Sequence, residues 1–185
     1  GDDELLRRCQ EGDETALAVL VRAYQTRIFQ LADRVLGNTV LAEEATAQAF
    51  FKVWVRCGQW RCHASAGTWI YRVAMNAILD VRRSQARWWR RWSTCEMGNP
   101  RDPRPGPAEV VCDVEESAHR AQRVRDALQC LSESDRALLH LYYFEGRPLA
   151  EIEASLEVPR TNVKMRLARA RERLRNVWEY HEDEC

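Results

Sequence analysis

Pro148-Leu-Ala-Glu-Ile-Glu-Ala-Ser-Leu156, then Glu157-Val-Pro159, then Arg160-Thr-Asn-Val-Lys-Met-Arg-Leu-Ala-Arg-Ala-Arg-Glu-Arg-Leu-Arg175 reads as two helices around a three-residue turn. Pro148 stands where a helix tolerates a missing N–H, in its first turn. Ile152, Leu156, Val158, Val163 and Leu167 recur at helical spacing and give the pair a small shared core. Two short helices crossing steeply around such a turn form a helix-turn-helix. The second helix then presents Arg160, Asn162, Lys164, Arg166, Arg169, Arg171 and Arg173. Its N-terminal half is expected to reach base edges in a major groove, and its later arginines to hold phosphates.

Upstream, the same 3.6-residue period recurs. Residues 2–10 read as a short helix. Asp13 is a good N-cap for a helix carrying Leu17, Leu20, Val21, Tyr24, Ile28, Leu31 and Val35, which Gly37-Asn38 ends. Thr39 is positioned to cap the next helix, which runs to Gly58. A loop from Trp60 to Gly67 precedes a helix expected over Thr68–Arg83. Gly98, Asn99, Pro100, Pro103, Pro105, Gly106 and Pro107 mark an extended connection at about 87–118. Arg120–Cys130 resumes helix, and Ser132 caps a helix that Glu145-Gly146 closes. The last helix is expected to end near Trp178. The fold class is therefore all-α: two small helical domains joined by a flexible linker, 1–86 and 119–180, with an acidic tail over 181–185.

Equal numbers of basic and acidic residues, 28 each, hide segregation along the chain. Residues 51–105 carry 11 basic against 3 acidic groups, and residues 159–178 carry 7 against 1. Acidic stretches lie before, between and after them. Two basic blocks suggest two contacts with one polyanion. Nearly all the positive charge is Arg, the side chain suited to bidentate phosphate and base contacts. Seven scattered cysteines without a CxxC pair point to reduced thiols. No apolar run reaches the roughly 18 residues that a membrane span needs. The acidic start Gly1-Asp2-Asp3-Glu4 is unlike a secretory signal, so a cytoplasmic location is expected.

Leu131–Arg136, Tyr143–Gly146, Glu151-Ile152 and Val163–Leu174 resemble conserved region 4 of the extracytoplasmic-function (group IV, sigma-70 family) sigma factors of RNA polymerase. Ala42–Glu44, Gln48, Phe50–Trp54 and Thr68–Arg83 resemble region 2 of the same family. The resemblance implies a bacterial transcription initiation factor that binds core polymerase and recognises −35 and −10 promoter elements. The competing reading is a stand-alone helix-turn-helix regulator, which does not need region 2. Several positions depart from the family's pattern. Glu157 replaces a usual Gly in the turn, Met165 a common Ser, and Ala168 a common aromatic or His.

Carried onto this chain, the resemblance implies −35 contacts from Arg160, Asn162, Lys164, Met165, Arg166, Ala168, Arg169 and Arg171. It implies −10 contacts from Arg61, His63, Ala64, Ser65, Trp69, Tyr71, Arg72, Asn76, Arg82 and Arg83. Extruded bases need a stacking surface and small polar walls, and these residue types supply both. Polymerase contacts fall to Glu43, Glu44, Gln48, Phe51, Lys52 and Trp54, against the β′ clamp helices, with the β flap as a further surface. An anti-sigma factor is the expected protein partner. Arg87-Trp-Trp-Arg-Arg-Trp92 interleaves Arg with aromatics, as a single-strand platform does, or as a helix end packing its tryptophans on region 2 does. No catalytic motif and no cofactor is expected. His181 and Cys185 are spaced to share a metal, with two more ligands needed from Cys95, Cys112 or His119.

Overall fold

The computed structural model describes residues 1–92, 127–157 and 160–183, and every regular element among them is helical. The N-terminal unit holds α1 (Asp2–Gln10), α2 (Glu14–Leu36), α3 (Thr39–Arg56) and α4 (Ala66–Trp92). The C-terminal unit holds α5 (Glu133–Tyr143), α6 (Leu149–Leu156) and α7 (Arg160–Asp183). None of these helices is long and apolar enough to cross a membrane.

Local chemistry sets the boundaries. The Asp13 carboxylate accepts from Thr15 N and Ala16 N and starts α2. Gly37 ends it in the left-handed conformation. Asn38, rather than Thr39, caps α3: its Oδ1 accepts from Leu41 N at 3.0 Å. The inner face of α3 is Ala42, Ala45, Ala49 and Val53, all buried. Three alanines let α3 approach both α2 and α4, the neighbours it packs between. A 3-10 turn, Cys57–Gln59, then leads to the loop before α4.

Helix α4 begins two residues earlier than Thr68 and ends nine residues later than Arg83. The early start comes from Asp3, whose Oδ1 accepts from Ala66 N at 2.7 Å. The late end reflects residues 84–92, which contain neither Gly nor Pro, so nothing stops the helix. The Arg-Trp segment is thus helical rather than extended. Helix α5 stops at Tyr143, and α7 runs past Trp178 to Asp183. The rest of the expected linker, and the Val158-Pro159 turn, lie outside the described residues.

The two units share one continuous core. Helix α5 packs on α2, and α6 lies across the start of α4. Gly67, at that crossing, has no room for a side chain. A Cβ there would meet Tyr24 Oη at 2.8 Å and the Arg147 guanidinium at 3.3 Å. Buried Ile152, Val163, Leu167 and Ala170 hold the helix-turn-helix together. Its turn is entered through Glu157 at φ 54°, a left-handed conformation unusual for a residue with a Cβ.

Candidate nucleic-acid interface

Helix α7 buries Val163, Leu167 and Ala170, so its opposite face is fixed by helical geometry. That face carries Met165, Ala168 and Arg169, all exposed, with Asn162 on one flank and Lys164 and Arg171 on the other. Met165 is 52% exposed, which is unusual for an apolar side chain with a neighbouring core to join. Arg171 Nε donates to the Leu167 carbonyl at 3.3 Å and leaves the rest of its guanidinium in solvent. Arg160 starts the helix, but its side chain lies outside the described residues. Arg166 departs from the expected set. It is half-buried and donates to Asp135 Oδ1 through Nε at 3.3 Å and Nη2 at 3.0 Å.

The second basic block is organised by the loop before α4. Trp60 is buried, and its indole N–H donates to the Ala64 carbonyl at 2.9 Å, closing the loop on itself. Gln10 braces it from α1, donating to the Cys57 and Trp60 carbonyls at 2.8 and 2.9 Å. Ser65 Oγ accepts from Thr68 N at 3.2 Å at the head of α4. The result is a concavity of about 180 Å³ lined by Trp60, Arg61, His63, Ala64, Trp69 and Arg72, together with Gln59, Thr68 and Ala154.

Five of the ten expected −10 residues therefore line one concavity: Arg61, His63, Ala64, Trp69 and Arg72. Ser65 stands beside it, and exposed Asn76 lies one helical turn beyond Arg72. Tyr71 does not share the concavity. It is buried against Tyr24, Glu145 and Arg147, and burial followed by its bond to Glu145 pushes its pKa up. Arg82 and Arg83 sit roughly 20 Å along α4 from Trp69, at about 1.5 Å per residue. They pair with Glu133 at 3.2 Å and Asp80 at 3.1 Å. Gln59, Trp60, Thr68 and Ala154 were missed as lining residues. Thr68 carries a signal in its spacing from Ser65, while Ala154 belongs to the other unit and carries none.

Ala154 marks a wider feature, because α6 covers this part of α4. Thr68 Oγ1 lies 3.3 Å from Glu151 Oε2, and Ser155 Oγ donates to the Thr68 carbonyl at 3.4 Å. Arg72 pairs with Glu157 at 3.6 Å. Deeper in the joint, Arg34 Nη1 lies 2.6 Å from His140 Nδ1 and the guanidinium stacks 3.6 Å over Phe144. Arginine has only hydrogens to offer, so Nδ1 accepts and the imidazole proton sits on Nε2. Burial, then the Arg34 charge, pushes the His140 pKa down to about 3.

The third expected surface is on α3. Glu43, Glu44 and Phe51 are exposed, and Gln48 donates to Glu44 at 2.9 Å. Val40 and Val55 share the stripe of Glu44, Gln48 and Phe51. Val40 is 72%, Phe51 67% and Val55 63% exposed. The two valines were missed, although their i, i+4 spacing signals them. Trp54 is half-buried and lines a groove of about 490 Å³ with Leu17, Ala18 and Val21 of α2. Lys52 points elsewhere: its Nζ pairs with Asp80 of α4 at 2.8 Å. The candidate metal ligand Cys185 and the side chain of His181 lie outside the described residues, as do Cys95, Cys112 and His119.

Two family models match the chain: Sigma-70 region 2 over residues 20–88 and Sigma-70 region 4 over residues 121–174. The ECF RNA polymerase sigma factor SigK of Mycobacterium tuberculosis (strain H37Rv) is 29% identical over 182 residues, covering 94% of this chain and 91% of SigK. SigW of Bacillus subtilis is 27% identical, with 92% of each chain covered. Among solved structures, CnrH in complex with the cytosolic domain of CnrY superposes with a TM-score of 0.70 at 18% identity, covering 97% of this chain and 99% of that one. The sigma factor RpoE of Bartonella quintana, in complex with the anti-sigma factor NepR, gives 0.66 at 16%, with 88% and 96% covered. With both sigma regions matched in order and full-length ECF relatives on either side, the chain belongs to the sigma-70 family as an extracytoplasmic-function sigma factor, a transcription initiation factor that directs RNA polymerase to promoter DNA.

Proposed function

We propose that the three surfaces divide the work of initiation. The outward face of α7, with Asn162, Lys164, Met165, Ala168, Arg169 and Arg171, reads the −35 element. The concavity of Arg61, His63, Ala64, Trp69 and Arg72 takes bases extruded from the −10 element, with Ser65 and Asn76 at its edge. The α3 stripe of Glu44, Gln48 and Phe51, with Glu43, Trp54, Val40 and Val55, docks on the β′ clamp helices. Residues 1–86 form the polymerase and −10 unit, 87–118 the linker, and 119–180 the −35 unit. The chain acts in the cytoplasm and has no catalytic activity of its own, since melting is driven by exchanging stacked bases for pocket contacts.

The observation that carries this reading is the convergence of five residues from a basic loop and a helix on one concavity, in a chain whose other basic block is a helix-turn-helix. Because α6 and Ala154 cover that concavity's edge, −10 capture requires the C-terminal unit to move away. An anti-sigma factor that holds the two units together keeps the protein inactive. The Bartonella quintana relative in complex with NepR supports such a partner for this chain.

Run-off transcription with core polymerase on a promoter library tests the reading. Promoter-dependent transcripts are expected from the wild-type chain, and Arg169→Ala is expected to weaken −35 binding while sparing core affinity. Duplex binding without any promoter-dependent transcript would favour a stand-alone regulator.

A further inference from the structure

Helix α7 carries two arginines that turn to one flank, toward α5, and not to the centre of its outward face. Arg166 and Arg173 lie seven residues apart, so they share one flank, and that flank meets the first turn of α5. Asp135 sits there, 7% exposed. Its Oδ1 accepts from Nε and Nη2 of Arg166 at 3.3 and 3.0 Å, and its Oδ2 accepts from Nη1 of Arg173 at 3.4 Å. The carboxylate is fixed from behind, because Ser132 caps α5 by accepting from Asp135 N at 3.2 Å.

A buried carboxylate has to be paired, and charge-assisted bonds to guanidinium satisfy it well. The two arginines are not held equally. Arg166 gives two N–H groups and its side chain is 31% exposed, whereas Arg173 gives one at a longer distance and is 61% exposed. Arg173 can exchange the carboxylate for a phosphate, while Arg166 is committed to Asp135. The flank therefore offers DNA one fewer positive charge than its sequence suggests. The groove beside it, about 560 Å³, is lined by Asn162, Met165 and Arg169 as well as by the Asp135 cluster.

We propose that Asp135 is a positioning and specificity-determining residue for −35 recognition, which withholds Arg166 from the phosphate backbone and sets α7 against α5. Phosphate contacts supply sequence-independent affinity, and base contacts discriminate. Removing arginines from the first kind of contact lowers non-specific binding more than specific binding. Asp135 thus raises the ratio between them. This inference rests on the reading of α7 as the −35 helix.

The test uses the full chain, a duplex selected by the wild-type chain from a random library, and a shuffled duplex of the same composition. Affinities are measured by fluorescence anisotropy across a salt series. Each arginine newly placed on a phosphate steepens the slope of log affinity against log salt by about 0.9. Asp135→Asn, nearly isosteric, is expected to steepen the slope on both duplexes by one such step or more and to lower the selected-to-shuffled ratio several-fold. Arg166→Gln is expected to leave the slope unchanged, because Arg166 touches no phosphate. In Asp135→Asn/Arg166→Gln the slope falls back by one step. An unchanged slope and ratio in Asp135→Asn overturns the inference, as does a slope loss of about 0.9 in Arg166→Gln. A parallel loss on both duplexes with an unchanged slope also overturns it, marking Asp135 as merely structural. A wild-type chain that does not discriminate between the duplexes overturns the reading of α7 itself and this inference with it.

Discussion

The Tyr71 hydroxyl on α4 donates to Glu145 Oε2 at 2.5 Å, a bond that crosses from the N-terminal helical unit to the C-terminal one. Glu145 has only 7% of its side chain exposed. It also lies 3.8 Å from Arg27 and 3.7 Å from His140. One carboxylate thus joins two helices of the first unit to α5 and its following turn.

Glu145→Ala is expected to loosen that joint. It removes the acceptor of a buried hydroxyl and the counter-charge of Arg27, a loss of about 2 kcal/mol at the contact. Each unit keeps its own helices, so far-UV circular dichroism should be unchanged. Small-angle X-ray scattering should show a larger radius of gyration than wild type. An unchanged radius would mean that the apolar contact between α6 and α4 closes the units without the polar joint.

Much of this architecture is legible in the sequence because it rests on local chemistry. Asp13, Gly37 and Ser132 mark helix ends by capping, and the Leu17–Val35 stripe marks a buried face by period alone. The joint between the units is not local. Nothing near Tyr71 says that its partner is Glu145, and nothing near Ala154 says that it lines a cleft with Trp69. Arg166 shows the same limit: read alone it is one more basic residue on a basic helix, and only the tertiary fold brings Asp135 to it. Lys52 is the same case: its place in the sequence puts it on the α3 docking face, and only the fold brings Asp80 of α4 to it.

The His140 environment predicts a pH dependence. An ordinary histidine, as in the unfolded chain, titrates near 6.5, and burial beside Arg34 pushes the folded-state value down to about 3. Between these values the unfolded chain binds a proton that the folded chain does not. Stability is then complete above about 6.5 and falls as the pH drops, by up to about 1.4 kcal/mol per pH unit. His140→Gln should remove that contribution. Urea unfolding at pH 6 and pH 5 measures it, a window above most carboxylate titrations. Equal slopes in the variant and the wild type would show that the buried ring takes up its proton without unfolding.

Glu157 occupies a left-handed position at φ 54°, where a side chain costs roughly 1 kcal/mol. Its compensation is an exposed pair with Arg72, and such pairs contribute about 0–1 kcal/mol. Glu157→Gly is therefore expected to leave thermal stability equal or slightly raised. Thermal unfolding followed by circular dichroism decides. A clearly lowered midpoint would mean that the Arg72 contact helps hold α6 on α4 beyond its exposed geometry.

The concavity proposed to take the −10 bases separates binding from folding through its exposed walls. Trp69 is 7% exposed, so its truncation disturbs packing and base stacking together. His63 and Arg72 are exposed, and their truncation leaves no cavity. His63→Ala and Arg72→Ala are each expected to weaken binding of polymerase holoenzyme to a fork-junction template by about 1 kcal/mol or more, the scale of one stacked base. Their thermal midpoints should stay close to wild type. Unchanged fork affinity in both variants would move the −10 strand off this concavity.

Phe51 and Lys52 are neighbours on α3 with opposite expectations. Phe51 is 67% exposed on the stripe shared with Val40, Glu44, Gln48 and Val55. An aromatic side chain so exposed does little for the isolated fold, yet aromatics are frequent anchors at interfaces. Phe51→Ala is expected to keep the melting midpoint and to weaken core-polymerase binding about tenfold, near 1.4 kcal/mol. Lys52 has its ammonium on Asp80 at 2.8 Å, and that bond holds the Asp80 carboxyl below the usual carboxylate range. Lys52→Ala should therefore cost stability, at most about 1 kcal/mol, and leave core affinity within roughly twofold. Titration of labelled core polymerase with each variant measures the difference. Were Lys52→Ala to lose as much affinity as Phe51→Ala with its stability intact, the docking face would lie on the flank of α3 next to α4 instead of on the Val40–Val55 stripe.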